Sequence, residues 1–366
     1  MNGDYAGSNQ VFAAAQSRIQ GLSGASDRVQ TPPLANTDGA QSYATEDFEK
    51  VLLQLYRALN DLQLDDLPLA RAEALQVEAM QREIDDKNQD GALAAVALWH
   101  YLSGMIAEEL KQYSDAMNSY RKAYEAYGVY RRCAAMDIPD FIKRDLLRLA
   151  QQQGLDEEVA RYKKEFQIGH WLGVDDLASM GELVFIFSDG LAPFKREQSK
   201  AVIDPTGENI ERISLPSYEP RPATVTAARV TVGAAIATTE TAEDINAIAI
   251  KGLEAKIPRL THRAMARAVV KARLEKMAKA NPPPQNQNAA PAGEDDSPTI
   301  ARADTRSWLT LPATIQLARL PLPPGNYSVR VDYLGEYQAI VETMEYANVT
   351  IRQGVNTYLA AHWTAQ

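Results

Sequence analysis

Residues 97–127, ALWHYLSGMIAEELKQYSDAMNSYRKAYEAY, have the clearest periodicity in the chain. Small and aromatic residues alternate in it at helical spacing. Gly104 and Ala116 are small enough to let two antiparallel helices approach closely. Tyr113 and Tyr120 would fill the space beside that contact. The pattern predicts a helical hairpin in which glycine and alanine lie where the two helices touch.

The same spacing is that of a tetratricopeptide (TPR) unit, a helical hairpin that stacks into arrays. Weaker copies of the pattern lie within residues 3–15, 52–77 and 146–166. The copies are separated by more than the regular repeat of about 34 residues, so we expect an irregular array with insertions. A generic helical bundle with alanine-rich contacts is the alternative interpretation.

The first residues have the composition of the second half of such a hairpin. Gly3-Asp4-Tyr5 is typical of a turn, and residues 9–19 have helical periodicity. The first helix of the pair is missing, so we expect either a segment upstream of Met1 or a single capping helix. Residues 21–44 are rich in turn-forming residues and are predicted to form a long loop. We find no signal peptide or lipobox in the chain as given.

After about residue 170 the composition changes from alanine-rich helix to β-branched runs. Residues 182–187, ELVFIF, are typical of a strand buried on both faces, and Ser188-Asp189-Gly190 ends it with turn residues. Pro323-Pro324-Gly325 gives a rigid turn, common where β-sandwich modules cross between sheets. A helix is predicted at 241–280, and further strands at 213–215, 218–222, 225–232, 315–320, 327–333, 338–342 and 355–361.

These patterns predict an α+β protein in two parts. Residues 1–170 form TPR-like helical repeats whose first helix is missing. Residues 171–366 form a mixed region with a sandwich-like β-sheet. Within the second part, residues 281–300 are rich in Pro, Gln, Asn and acidic residues, cannot bury a core, and are predicted to be disordered.

Composition excludes several classes of protein. The 366 residues include 38 Lys and Arg against 48 Asp and Glu, a formal charge of −10. This acidic balance argues against a dedicated nucleic-acid binder, because neutralising phosphates requires a basic surface. One cysteine, Cys133, excludes an intramolecular disulfide and a Cys-rich zinc site. We expect it to be a small buried thiol.

No motif in the sequence carries a catalytic or cofactor-binding role. Nucleophile elbow, phosphate loop, zinc-protease helix and dinucleotide fingerprint are all absent, and the four histidines lie far apart. We therefore predict no catalytic residue, no metal site and no cofactor. Residues 86–97 match the first half of a calcium loop, but Ala97 stands where a bidentate glutamate is required, and calcium binding there stays open.

The acidic chain contains one basic segment, residues 251–279. Five of its cations recur every three or four residues and form one helical stripe: Lys256, Arg259, Arg263, Arg267 and Lys271. A solvated face is one interpretation, and docking on anionic lipid or on an acidic partner are the others. Arg263, Arg267 and Lys271 are candidate partner-binding residues. Pro258 is expected to break or kink the helix near its start.

Six segments together resemble an uncharacterised family of bacterial TPR-containing envelope lipoproteins. They are GDYA at 3–6, EDFEKVL at 46–52, YLSG at 101–104, GELV at 181–184, GLAPFK at 190–195 and ADTRSWLTLP at 303–312. The resemblance implies a secreted periplasmic protein, associated with the outer membrane through a lipid on an amino-terminal cysteine. It implies a gene near those of other small envelope lipoproteins, and no enzymatic activity.

We therefore expect a non-enzymatic adaptor or scaffold that takes a protein partner, such as another envelope lipoprotein, on the concave surface of its helices. Arg306 and Trp308, next to the predicted disordered insert, are a candidate recognition pair. Alternatively, Trp308 fills the core and Arg306 covers it. Two other functions stay open: peripheral membrane contact through the basic helix, and an enzyme whose site at the domain junction includes His170 and convergent carboxylates. No small-molecule ligand is predicted.

Overall fold

The computed structural model describes residues 3–26, 43, 45–87, 96–203, 210–280 and 302–364. Within these ranges the protein is α+β, as predicted. Its amino-terminal helices are α1 (Tyr5–Ser26), α2 (Asp47–Gln63), α3 (Leu67–Lys87), α4 (Ala97–Glu109), α5 (Tyr113–Ala134), α6 (Asp140–Gln152) and α7 (Asp156–Phe166), which we call the helical layer. A one-turn helix, α8 (Val174–Leu177), follows.

The remaining elements are mostly strands around one long helix. They are β1 (Gly181–Asp189), β2 (Phe194–Ile203), β3 (Ile210–Glu219), β4 (Ala227–Val232), β5 (Ala235–Thr238), β6 (Glu240–Asp244), α9 (Ile245–Ala280), β7 (Thr314–Leu322), β8 (Gly325–Leu334), β9 (Ile340–Ile351) and β10 (Asn356–Trp363). The first sheet has the order β10-β1-β7-β6, and the second sheet has the order β5-β4-β8-β9. Strands β2 and β3 form a separate hairpin.

Strand β1 is buried on both faces, as its apolar run predicts. It pairs in parallel with β10 and antiparallel with β7. Phe185 and Phe187 face the second sheet and share a hydrophobic core with residues such as Val331. Val184 and Ile186 point the other way and join the core of the helical layer. The molecule therefore has three layers, with the first sheet in the middle.

The chain crosses from one sheet to the other at the predicted rigid turn. Strand β7 ends at Leu322 in the first sheet, and β8 starts at Gly325 in the second. The Tyr327 hydroxyl donates to the Pro323 carbonyl at 2.9 Å and closes the turn. Two prolines fix the backbone between the strands, which limits the freedom lost when the two sheets come together.

The predicted helical hairpin at 97–127 is present as α4 and α5. A Cβ on Gly104 would lie 2.4 Å from two ring carbons of Tyr120, closer than real Cβ contacts allow. Tyr120 and Ala116 are fully buried in the same contact. Glycine at position 104 is therefore required by the close approach of the Tyr120 ring.

The inner side of the helical layer packs on the first sheet. Residues Ala97 to Ala107 of α4 are all buried. The Leu98 N–H donates to the Glu243 carboxylate of β6 at 3.0 Å, and the Tyr127 hydroxyl of α5 donates to the Ala242 carbonyl at 3.0 Å. The inner side of α4 and α5 is thus covered by the protein's own sheet.

Several boundaries differ from the predictions. Helix α1 continues to Ser26, so the loop predicted from residue 21 begins too early. The helix predicted from residue 241 starts at Ile245, because residues 240–244 pair with β7 as strand β6. Pro258 lies inside α9 and does not end it, since its ring is on the exposed side, where a displaced carbonyl can bind water. The predicted insert 281–300 and most of the calcium-loop segment lie outside the described residues.

The prediction of a buried thiol at Cys133 is wrong. Cys133 is free and exposed. It lies in the last turn of α5 after two arginines, Arg131 and Arg132, beyond the part of that helix that packs on its neighbours. A small apolar residue near a helix end need not face the core, and here it does not.

Candidate functional site

A cavity of about 390 Å³ lies where the ends of α4 and α6 meet the first sheet. We call it the seam cavity. Its charged lining comes from both sides of the seam: Glu108, Glu109, Lys111, Arg148, Glu182 and Arg319. The rest of its lining is mostly apolar and includes Met105, Leu177 and Val355. A concave site with a few polar groups in an apolar wall is the usual form of a ligand site.

Arg148 of α6 is the first of two arginines in the wall of the seam cavity, and it is buried. It forms a two-pronged ion pair with Glu108, in which the Nη2–Oε2 distance is 2.9 Å. Its Nη2 also donates to Asp145 at 2.8 Å. The Tyr120 hydroxyl donates to the same Glu108 carboxylate at 2.8 Å. Both oxygens of the Glu108 carboxylate are therefore engaged by donors from the protein itself.

Arg319 of β7 is the second arginine in the wall of the seam cavity, and it joins the first sheet to the helical layer. It forms a two-pronged pair with Glu182 of β1, with Nε 3.0 Å from Oε1, and it also pairs with Asp145. The Tyr101 hydroxyl donates to Asp145 at 2.7 Å. Burial by itself would raise the pKa of Asp145, but the two arginines more than offset it and hold that pKa below its ordinary value. Asp145 is thus a buried anion shared by two cations.

Glu109, in the last turn of α4, has a different environment. Its Oε1 accepts the Asn356 backbone N–H at 3.2 Å, and its Oε2 accepts the Asn356 side-chain amide at 3.1 Å. The Tyr358 hydroxyl is 3.4 Å from Oε2. Burial raises the pKa of Glu109, and in the described part of the chain only neutral donors oppose that rise. Glu109 is therefore a carboxylate at the cavity wall held by neutral hydrogen bonds.

The predicted recognition pair lies elsewhere, at the start of α2. The Trp308 ring packs on Phe12 and Tyr56 with centroid separations of 5.9 and 6.3 Å, and its backbone N–H donates to Glu49 at 2.7 Å. Arg306 is exposed and pairs with Asp304 at 2.7 Å. Trp308 thus links α1 and α2 to the segment that precedes β7.

The basic stripe of α9 is divided between the interior and the surface. Lys256 pairs with Glu46 at 2.7 Å, and Glu46 also pairs with Lys195 at 2.6 Å. Arg267 is only 7% exposed, whereas Arg263 is exposed. The side chain of Lys271 lies outside what the structure describes. Because Lys256 and Arg267 point inward, the described part of the stripe is not one continuous cationic surface.

His170 does not belong to the seam cavity. It is exposed and lies in the connection between α7 and α8. The cavity at the junction of helices and sheet therefore has the convergent carboxylates of the enzyme hypothesis without its histidine. Among the described residues, no group of three or more His, Cys, Asp or Glu side chains is arranged to hold a metal ion.

Sequence reasoning missed Arg319, Glu182 and Asn356. A usable signal was present for two of them. Glu182 opens the apolar run of β1, and Arg319 interrupts the run IQLARL of β7. A charged residue within a buried strand must have a charged partner, because an unpaired buried charge is too costly. Glu182 and Arg319 are that pair.

No protein-family model, curated protein or solved structure matches this chain. None of the described helices combines the length and the apolar character needed to cross a membrane.

Proposed function

We propose that this protein is a non-enzymatic adaptor or scaffold of the bacterial cell envelope that receives a protein partner at the seam cavity. In this proposal the helical layer is an irregular TPR-like array, and the two facing sheets are a sandwich-like module. The Gly104–Tyr120 contact and the left-handed Gly154 between α6 and α7 support the first part. The change of sheet at Pro323-Pro324 supports the second.

One observation carries the proposal: the seam cavity contains a carboxylate, Glu109, that has only neutral donors among the described residues, while the other acidic groups of the wall have arginine partners. The inner side of the helices is covered by the first sheet, so the cavity replaces that side as the binding site. A preformed, partly apolar recess with one uncompensated charge suits recognition of a partner group.

An enzyme with its site in the same cavity is the second candidate, favoured by the convergence of Glu108, Glu109 and Glu182 there. Catalytic acid and base groups must exchange protons during the reaction. Glu108 and Glu182 are each held in a two-pronged ion pair with an arginine, which engages both oxygens of each carboxylate. This engagement favours binding over acid–base catalysis.

The envelope location in this proposal rests on the resemblance of six sequence segments to envelope lipoproteins. Fractionation of native cells tests it separately from the binding site. We expect the full-length protein in the outer-membrane fraction, released by detergent. Recovery in the cytoplasm would contradict this part of the proposal and leave the seam cavity as a site in another compartment.

A blocked cavity tests the binding site. Ala178 lines the seam cavity, and Ala178→Trp would fill it; Ala234→Trp places the same side chain in the exposed β4–β5 turn as a control. Tagged proteins would be recovered from native cells and their partners quantified by mass spectrometry. We expect wild type and Ala234→Trp to retain one common partner that Ala178→Trp loses. Equal retention by all three folded proteins would overturn the proposal.

A further inference from the structure

We propose that the seam cavity takes a basic side chain of the partner, with its ammonium or guanidinium group on the carboxylate of Glu109. This inference rests on the proposed function and names the chemical class that the same site recognises. It follows from the charges around the cavity, from the helices that end there and from the form of the recess.

The charges of the cavity do not balance. The described charged groups that line it, together with the aspartate behind the arginines, are four carboxylates and three cations. The carboxylates are Glu108, Glu109, Asp145 and Glu182, and the cations are Lys111, Arg148 and Arg319. The two arginines are engaged by three of the carboxylates. The remaining cation, Lys111, is exposed and forms no described ion pair with Glu109, so Glu109 is the carboxylate that an incoming cation would meet.

Helix ends add an independent contribution of the same sign. Helices α4 and α6 both end at the cavity, which Glu109 and Gln152 line from their last turns. The carboxyl end of a helix carries a partial negative charge, and a basic residue in the last turn commonly compensates it. Neither helix has a basic residue in its last turn, and Lys111, which follows α4 by two residues, is exposed. A cation bound against Glu109 would add compensation at the end of α4.

Asn356 prepares Glu109 for this role. Its backbone N–H and its side-chain amide donate to different oxygens of the carboxylate, so the group is fixed in one orientation at the cavity wall. Burial raises the pKa of Glu109, and a bound cation would lower it again. A carboxylate that is oriented by neutral donors and lacks a cation loses little when it accepts one, since the ordering is already complete.

The form of the recess suits a long side chain with an apolar stem. Its volume of about 390 Å³ is large enough to admit one. Met105, Leu177, Met180 and Val355 line it and would cover the aliphatic stem. Lysine and arginine combine such a stem with a charged end.

Amide NMR on the intact deuterated protein tests the inference with defined probes. Nα-acetyl-lysine amide and Nα-acetyl-arginine amide supply the cation on a peptide unit, Nα,Nε-diacetyl-lysine amide is the neutral control, and 1,4-diaminobutane represents a free amine. The observed signals are the backbone and side-chain amides of Asn356, which donate to Glu109. Glu109→Gln removes the charge, and Glu125→Gln removes one from an exposed position on α5 as a matched control.

We expect saturable shifts of the Asn356 signals with the cationic amides, none with the neutral one, and binding at least about tenfold weaker in Glu109→Gln but unchanged in Glu125→Gln. Equal binding to Glu109→Gln, or shifts confined to other regions, would overturn the inference. If Glu109→Gln does not fold, the shifts in the wild-type protein decide. Shifts at Asn356 support the inference, and shifts confined to other regions overturn it. Stronger binding of 1,4-diaminobutane than of either amide would mean that the site takes a free amine and not a side chain of a partner.

Failure of this inference and failure of the proposed function give different results. A partner lost by Ala178→Trp, combined with no cation shifts at Asn356, would leave the adaptor function in place and exclude the basic side chain. Cation-induced shifts at Asn356, combined with no partner lost by Ala178→Trp, would leave the cation site in place and exclude the adaptor function at this cavity.

Discussion

The Asn356 backbone N–H, at the start of β10, donates to the carboxylate of Glu109, at the end of α4, over 3.2 Å. This hydrogen bond joins the helical layer to the edge strand of the first sheet in the wall of the seam cavity. It connects residues 247 positions apart in the chain. The position of Glu109 therefore depends on correct docking of the sheet against the helices, so the site exists only in the assembled fold.

Gly104→Ala is expected to destabilise the protein by about 1–3 kcal/mol, because the added Cβ would collide with the buried Tyr120 ring. Gly128→Ala, on α5, is the matched control, since its Cβ would meet only an ordinary contact at 3.7 Å. We expect Gly128→Ala to stabilise by about 0.5–1 kcal/mol through helix propensity. Urea unfolding measures the free energy of unfolding of both variants. An unchanged value for Gly104→Ala would show that α4 and α5 do not meet at this position.

Arg319→Met should reduce the free energy of unfolding by about 3–5 kcal/mol, because the buried Asp145 and the neighbouring Glu182 would lose the cation that they share. Arg330→Met removes a half-exposed arginine that pairs with Asp332, and its expected cost is about 0–1 kcal/mol. The comparison uses urea unfolding at neutral pH. Similar costs for the two variants would mean that the Arg319 network does not hold the sheet to the helices.

We expect the buried carboxyl group of Glu243 to make the stability of the folded protein depend on pH. Burial raises its pKa to about 8, with hydrogen bonds from Leu98 and Tyr130 and the charge of Asp244 as smaller influences. The folded protein thus holds a proton that the unfolded chain releases at its ordinary pKa of about 4.5, so stability falls as pH rises from about 5 to 8. Glu243→Gln should remove this decline from urea unfolding curves across that range.

The control for this titration is Glu125→Gln, which removes an exposed carboxylate from α5. It should keep the wild-type dependence on pH. Parallel stability profiles for wild type and Glu243→Gln would show that the carboxyl group does not titrate as its buried position implies.

Trp308→Ala should loosen α1, since the Trp308 ring contacts both Phe12 of α1 and Tyr56 of α2. We expect faster hydrogen exchange of the α1 amides and unchanged exchange in α5. Trp171→Ala, which removes a half-buried tryptophan bonded to Gln151, is the matched control and should leave α1 unchanged. If α1 exchanges at the wild-type rate in Trp308→Ala, the indole is free for another role, such as recognition.

The sequence predicted correctly those elements whose conformation is set by residues close together in the chain. The apolar run of β1 requires burial on both faces wherever the strand lies. The small residue at Gly104 and the ring of Tyr120 are only 16 residues apart, and helical periodicity alone brings them together. The turn at Pro323-Pro324 is dictated by the fixed backbone of proline.

The seam cavity could not be predicted in this way. Arg319 and Asp145 are 174 residues apart, and their pairing depends on how the first sheet packs against α6. Glu109 has no unusual neighbours in the sequence, and its environment is created by the start of β10. The basic stripe has the same limit: periodicity shows that cations share a helical face but not which of them meet a carboxylate of another element, as Lys256 meets Glu46.

Photo-crosslinking from the lining of the seam cavity is the most direct test of partner binding there. A diazirine lysine analogue would replace Lys111, which lines the cavity, and in a control protein Lys200, which is exposed on the β2–β3 hairpin. Irradiation of native cells should give one defined protein adduct from position 111 and not from position 200. No adduct from position 111, or the same adducts from both positions, would contradict partner binding at this cavity.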